Sequence, residues 1–297
     1  MKTFLENAAR KAGADIIGIV DLNLLKSIHS QYLKKDINDL AFFKGSFSER
    51  LDPESVWREI KGAIAFGVCY NMHIEPFKDM SERGIISKCA YGKDYHIVLK
   101  KIAERIMHEF SSEFPCRYKI FVDTGRLSDR MMAYAAGLGF IGKNGFLINE
   151  KYGSYIFLGH ILTDINLEAN IQPISSCLCT KCNKCIKACP LGAYSEKGFD
   201  YKNCISYMTQ KAIPYNKTRY IYGCDICQEV CPYNETAQKT TNINFTTSLE
   251  LAYPELDFII EMGEDEFNKK YGDSSLAWRG IKYLKKNALC VKQHNNL

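Results

Sequence analysis

The apolar positions of the first 170 or so residues fall into runs whose period changes along the chain. Residues 2–12 read as a helix stopped at Gly13, and Asp15–Val20 (DIIGIV) then reads as a buried strand. Gly62–Tyr70 (GAIAFGVCY) is a second apolar run of strand length, bounded by turn residues. From Asp94 to Phe114 the apolar residues Ile97, Val98, Ile102, Ile106 and Phe110 recur at helical spacing. Lys119–Val122 is a short strand running into Asp123-Thr124-Gly125. Arg126–Ala136, rich in Ala and Met, reads as a helix ended by Gly137, and Tyr155–Leu162 is strand-like again. Helices and strands alternate, which predicts one α/β or α+β domain over residues 1–172.

The pattern breaks near Gln172-Pro173. Residues 173–245 hold most of the cysteines in short, loop-rich segments, and residues 246–297 turn helical. There an acidic stretch (Glu264, Asp265, Glu266) gives way to a basic end. From Trp278 to Leu297 there are five basic residues (Arg279, Lys282, Lys285, Lys286, Lys292) and no acidic one, matching the net charge of +5 for the whole chain. So mild an excess permits a nucleic-acid partner without demonstrating one.

Composition changes the picture at one point. With 297 residues, 46% hydrophobic and 25% charged, the chain is ordinary for a globular protein, which excludes disorder, collagen and simple coiled coil. The 13 cysteines are not ordinary. Nine lie between Cys177 and Cys231, while Cys69, Cys89, Cys116 and Cys290 lie elsewhere. The N-terminus lacks the apolar core of a signal peptide, and no apolar run approaches the ~18 residues of a membrane span. The expected location is therefore the cytoplasm, without membrane contact. Clustered cysteines in a reducing compartment point to metal or redox work rather than disulfides.

Spacing refines that chemistry. The first run is Cys179-x2-Cys182-x2-Cys185-x3-Cys189-Pro190, and the second is Cys204 followed by Cys224-x2-Cys227-x3-Cys231-Pro232. The C-x2-C-x2-C-x3-C-P spacing is that of bacterial [4Fe–4S] ferredoxins, in which the fourth cysteine of a run ligates the other cluster. Proline after it stops the local helix and turns the chain. On that logic Cys179, Cys182, Cys185 and Cys231 hold one cluster, and Cys189, Cys204, Cys224 and Cys227 the other. Cys177 is left over; the x2 spacing favours Cys179. Two zinc sites would also use eight cysteines, but zinc knuckles need neither the third cysteine of the run nor the C-x3-C-P ending.

Two other features have bland readings. Gly137-Leu-Gly139-Phe-Ile-Gly142-Lys143-Asn144 matches a dinucleotide fingerprint on paper, and nearly a phosphate loop. It follows a helix and precedes a strand, the reverse of the required context, and Asn144 stands where a phosphate loop has Ser or Thr. It reads as a glycine turn, or as backbone in close approach to a large cofactor. Asp123 suits a helix N-cap, and His96 a surface or capping position.

Taken in order, Tyr91-Gly92-Lys93-Asp94-Tyr95-His96, Val122-Asp123-Thr124-Gly125, Ala136-Gly137-Leu138-Gly139-Phe140-Ile141-Gly142-Lys143-Asn144 and Tyr222-Gly223-Cys224-Asp225-Ile226-Cys227-Gln228-Glu229-Val230-Cys231-Pro232 resemble the epoxyqueuosine reductase family, and the likeness runs to about residue 290. The resemblance implies an α+β fold: a nitroreductase-like cobalamin-binding domain, then a ferredoxin-like dicluster domain and a short helical C-terminus. It implies an oxidoreductase of tRNA modification, with cobalamin and two [4Fe–4S] clusters, that reduces epoxyqueuosine in tRNA to queuosine. A small electron-donor protein such as flavodoxin or ferredoxin would feed it. Asp123 would be the proton donor, its neutral form favoured by desolvation against the corrin. Tyr95 and His96 would line the site, with Cys89 beside them, and Gly139, Gly142, Lys143 and Asn144 would lie against the corrin or its tail.

The chain departs from the family pattern in three places. Arg126 replaces the proline that usually follows VDTG, and Asp129 replaces the usual glutamate before Arg130. Many members also carry a C-terminal helical-repeat extension that helps hold tRNA, beyond the region matching Ala277–Ala288; here the basic end reads equally as its substitute, acting through phosphate contacts, or as a solvated basic helix end. Two other activities fit parts of the pattern: a corrinoid iron–sulfur reductase of a small molecule, resembling a reductive dehalogenase, and an electron carrier.

Overall fold

The structure, a computed structural model, describes residues 1–32, 49–169, 177–195 and 198–294. They divide into two compact units. The first comprises Met1–Cys69, His96–Glu150 and Ile156–Cys177; the second comprises Tyr70–Tyr95, Lys151–Tyr155 and Leu178–Leu297. The units interleave along the chain and do not follow the linear division at residues 172 and 245 that composition suggests.

The first unit is built on a four-stranded antiparallel sheet in the order Ile16–Ile19, Gly62–Cys69, Ile156–Thr163, Tyr118–Phe121. Every residue of Gly62–Cys69 is buried, which accounts for its unbroken apolar sequence: a strand covered on both faces has no polar alternation. Ala63 and Ala65 share a core with Leu25, Trp57, Met132 and Ala133. The Tyr95–Glu113 helix buries Val98, Leu99, Ile102, Ala103, Ile106, Met107 and Phe110, a stripe of i, i+3, i+4 and i+7 positions. Ile97, expected in that stripe, is 54% exposed; one residue is 100° of helix, enough to turn it off the buried face. The Arg126–Ala136 prediction shortens to Asp129–Ala135, leaving Arg126–Ser128 as an approach loop.

The second unit centres on Ile86, Tyr91, Ile221, Tyr222, Leu256, Ile259, Leu284 and Ala288, and the Ile85–Ile86 strand pairs in parallel with Tyr220–Tyr222. Its helices Glu264–Tyr271 and Ile281–Gln293 fall in the region read as helical. Glu264, Asp265 and Glu266 occupy the first turn of the former and Lys269 and Lys270 its last, so the sequence's acid-to-base change follows the helix dipole. Gly92 of the YGKDYH motif has φ +66°, and a Cβ there would lie 2.0 Å from the Asn244 carbonyl oxygen. Gly92→Ala is therefore expected to lower stability by roughly 2–4 kcal/mol, read as a drop in melting temperature. An unchanged melting temperature would show that the backbone yields there.

Candidate functional site

Asp123 follows the Tyr118–Phe121 strand in a loop, not at a helix end; Ser128 is the N-cap of the next helix. The Thr124 N–H donates to the Val122 carbonyl at 2.6 Å, closing a three-residue turn with Asp123 at its centre and φ +55°. A non-glycine residue in that conformation stores strain of about 1–3 kcal/mol, so the surroundings must hold it there. The Asp123 N–H donates to Asp129 Oδ2 at 2.8 Å. Its own carboxylate is 63% exposed, and Oδ2 lies 3.6 Å from Nε2 of His96, in the first turn of the Tyr95–Glu113 helix. That is ion-pair range rather than hydrogen-bond range. Burial, with Arg130 nearby, lowers the Arg50 guanidinium to about 10, opposed by the carboxylates of Asp129 and Asp123. Acid and base side chains thus gather where the sequence showed only VDTG. Tyr95 precedes His96, but the division between the two units falls between them.

The glycine turn is a hairpin of Phe140–Ile141 with Leu147–Ile148. A Cβ on Gly139 would meet the Ile148 carbonyl oxygen at 2.4 Å, and one on Gly142 would meet Ile148 Cδ1 at 2.5 Å. Asn144 is buried, and its Oδ1 accepts from the Phe146 N–H. These three residues have a reason within the hairpin itself, while Lys143 is exposed at its tip. Helix before and strand after are as the sequence indicated, so the nucleotide motifs fail on context.

The cysteines are brought together from short elements. Burial first, and then the thiols of Cys179, Cys231 and Cys182, push the Cys185 thiol up. Burial and the thiols of Cys179 and Cys182 do the same to Cys231. In a second set, Cys204 is raised by burial and by Cys189, Cys224 by burial with Cys227 and Cys204 among its neighbours, and Cys227, to about 12, by burial with Cys204 nearby. Cys185 of the first run is also among the neighbours of Cys227, so the thiols of the two runs lie near one another. Among the described residues no three His, Cys, Asp or Glu side chains close on a single metal ion. A cubane asks for something different, four thiolates placed around four irons. Cys189 caps the Lys184–Ala188 helix, so Pro190 follows a helix end as expected; Pro232, by contrast, opens the short Pro232–Glu235 helix. Cys177 begins the Cys177–Lys181 helix, and its side chain lies outside the described residues. Of the others, Cys69 is buried in a strand, Cys116 is raised by burial, and Cys290 Sγ bonds the backbone of Tyr215. Cys89 lies in the second unit, its Sγ 3.3 Å from Ser87 Oγ.

Sequence reasoning missed the polar residues between and just after the second-run cysteines. Asp225 is 2% exposed and accepts from Ser87 Oγ and the Lys88 N–H, both at 2.8 Å, and from Gln228 Nε2 at 3.2 Å. Burial raises its carboxyl to about 6 despite those donors. Asn234 Oδ1 accepts from the Ser154 N–H at 2.8 Å, and Asn234 Nδ2 donates to the Gln228 carbonyl at 2.7 Å. Satisfied buried polar groups of this kind fix the loop geometry around Cys224, Cys227 and Cys231. The available signal was the run of Asp, Gln and Asn at intervals among cysteines, residue types that a merely solvated loop would leave exposed.

A family profile described as "Epoxyqueuosine reductase QueG, DUF1730" matches residues 50–124, and one described as "4Fe-4S double cluster binding domain" matches residues 178–234. Over 299 residues the chain is 32% identical to the epoxyqueuosine reductase of Listeria monocytogenes, covering 95% of this chain and 78% of that one. The chain belongs to the epoxyqueuosine reductase family. It is an oxidoreductase, of α+β fold, with an iron–sulfur domain. It is also 32% identical to the epoxyqueuosine reductase of Leadbetterella byssophila, where the match covers 97% of both chains. A solved epoxyqueuosine reductase with a tRNA-Tyr epoxyqueuosine-modified stem loop superposes with a TM-score of 0.85 at 30% identity, covering 99% of this chain and 81% of that one. So does the Bacillus subtilis epoxyqueuosine reductase with its catalytic aspartate loop swung out of the active site, at a TM-score of 0.85 and 29% identity, with the same coverage. Among the described residues no helix is long and apolar enough to cross a membrane.

Proposed function

We propose that this chain reduces the epoxide of epoxyqueuosine in tRNA to give queuosine, with Asp123 as the proton donor. The observation that carries the reading is the exposed Asp123 carboxylate, on strained backbone beside His96, in a chain that matches these reductases over 95% of its length. Removing an epoxide oxygen as water takes two electrons and two protons. Cys179, Cys182, Cys185 and Cys231 hold one [4Fe–4S] cluster, and Cys189, Cys204, Cys224 and Cys227 the other; such clusters pass electrons singly. Cobalamin, when bound, supplies a strongly reducing, nucleophilic metal centre. The residues present fit it in one respect: the Asp123 acid faces outward instead of being spent in its unit's core. His96 and the hairpin of Gly139, Gly142, Lys143 and Asn144 are its proposed contacts in the first unit. Asp123 is the side chain placed to hand a proton from its carboxyl to the substrate, with His96 Nε2 3.6 Å away. A small electron-donor protein such as flavodoxin or ferredoxin supplies the clusters.

The solved relative with a tRNA-Tyr epoxyqueuosine-modified stem loop supports tRNA as substrate. On the Ile281–Gln293 helix Lys282 and Lys286 are exposed one turn apart, whereas Lys292 is paired with Asp257. Replacing Lys282 and Lys286 together with alanine is expected to weaken stem-loop binding and to lower the salt slope of log K by about 2, one for each phosphate no longer neutralised. Titration at several salt concentrations measures this, and an unchanged slope removes the helix from the RNA surface.

The deciding experiment is anaerobic reconstitution with iron, sulfide and cobalamin, followed by mass spectrometry of an epoxyqueuosine-containing anticodon stem-loop. Loss of one oxygen atom from the nucleoside is expected. Retention of cobalamin with no conversion, alongside dehalogenation of a small aryl halide, would move the activity to the small-molecule class.

A further inference from the structure

Asp129 touches more than the Asp123 backbone. Its Oδ1 lies 2.5 Å from Nδ1 of His160, while its Oδ2 accepts the Asp123 N–H. His160 sits mid-strand in Ile156–Thr163, directly across from Phe121, and its side chain has no exposed surface. Its ring stacks on Phe121 with centroids 5.1 Å apart and planes 14° apart. Nε2 is buried with no hydrogen-bond partner among the described residues. The carboxylate can only accept, so Nδ1 carries the proton toward it; a bare Nε2 lone pair costs less to bury than an unanswered N–H. The imidazole is therefore locked by the strand, by the stack and by this bond, and it fixes the carboxylate in turn. Phe121 is also two residues before Asp123, so the stack and the strained turn share one strand end.

We propose that Asp129, braced by His160, is a positioning residue that holds the Asp123 turn in its strained form and so sets where the proton donor points. The inference rests on the reading of Asp123 as that donor. Without the Asp129 acceptor the turn loses the hydrogen bond from the Asp123 N–H that helps offset the positive φ, and it relaxes. The relaxed turn carries the carboxylate away from His96.

Hydrogen exchange of the peptide spanning residues 121–126, in the full chain with its clusters assembled, reads the turn independently of activity. In Asp129→Ala the Asp123 amide is expected to exchange at least tenfold faster. The single-turnover rate on the modified stem-loop should fall at least tenfold, with stem-loop affinity and cluster absorption unchanged. Asp129→Glu, which keeps the acceptor and restores the family's usual residue, should recover most of both. If the alanine variant does not fold, Asp129→Asn and His160→Gln each weaken the pair at nearly constant size, and each must raise exchange of the same amide. Unchanged exchange in any of these folded variants overturns the proposal, as does a turn that opens with the single-turnover rate untouched. Full turnover by Asp123→Asn would instead remove the proton-donor reading, with the exchange result still deciding whether Asp129 holds the turn.

Discussion

Asp123→Asn is expected to retain both iron–sulfur clusters, cobalamin and stem-loop affinity while losing about 10²–10⁴-fold in turnover, the usual range for removing a general acid. Asparagine is the right replacement because of the backbone. Asp123 has φ +55°, and Asn is the side chain other than Asp that most readily accepts a left-handed conformation. The variant thus keeps the turn, the N–H to Asp129 and the volume, and gives up only the ionisable proton. Alanine would confound the acid with the strain. The measurement is single-turnover conversion of modified stem-loop by pre-reduced enzyme, alongside cobalamin and iron content. Wild-type turnover by a fully loaded variant would show that the proton comes from elsewhere.

The second large effect belongs to the cysteines. Cys204→Ser should reduce iron from about eight atoms per chain to about four and abolish multiple turnover, because one of the two clusters loses its ligand set. Cys204 is the informative choice. It stands twenty residues before Cys224, outside any close-spaced run, and burial together with the Cys189 thiol raises it. Cys177→Ser should leave iron content and turnover unchanged. Iron and sulfide analysis of the two variants, with the absorption of the reconstituted clusters, separates a ligand from a bystander. Full iron in the Cys204 variant, or half in the Cys177 variant, would require the ligand sets to be redrawn.

These expectations draw on the sequence and the fold unequally. The cysteine runs were legible because ligand spacing on a short loop is a local property: two residues between thiols already limits which sulfurs face one centre. The strands were legible for the same reason, since Gly62–Cys69 announces burial on both faces by having no polar position to turn outward. The Asp123 loop was half legible. Its motif stood out, but the expected helix cap is supplied by Ser128, and nothing local distinguishes a cap from a strained turn. The 137–144 segment reads in the sequence as a glycine turn, and packing against Ile148 gives two of its glycines a reason inside the hairpin.

What the sequence determined by itself is the chemistry available: an α+β chain, eight spaced cysteines, an acid in a recognisable motif, and a basic end. What only the tertiary structure decided is which of those groups meet. Tyr70–Tyr95 and Lys151–Tyr155 join the cysteine-bearing unit across gaps that no composition shift marks. Asp225 and Asn234 are tied to Ser87 and Ser154 from 138 and 80 residues away. His160 reaches Asp129 across 31 residues because two antiparallel strands put it opposite Phe121. Periodicity reports which face of an element is buried. It carries no information about the partner on the other side, which is set by strand register and by the requirement that a buried polar atom find a complementary one.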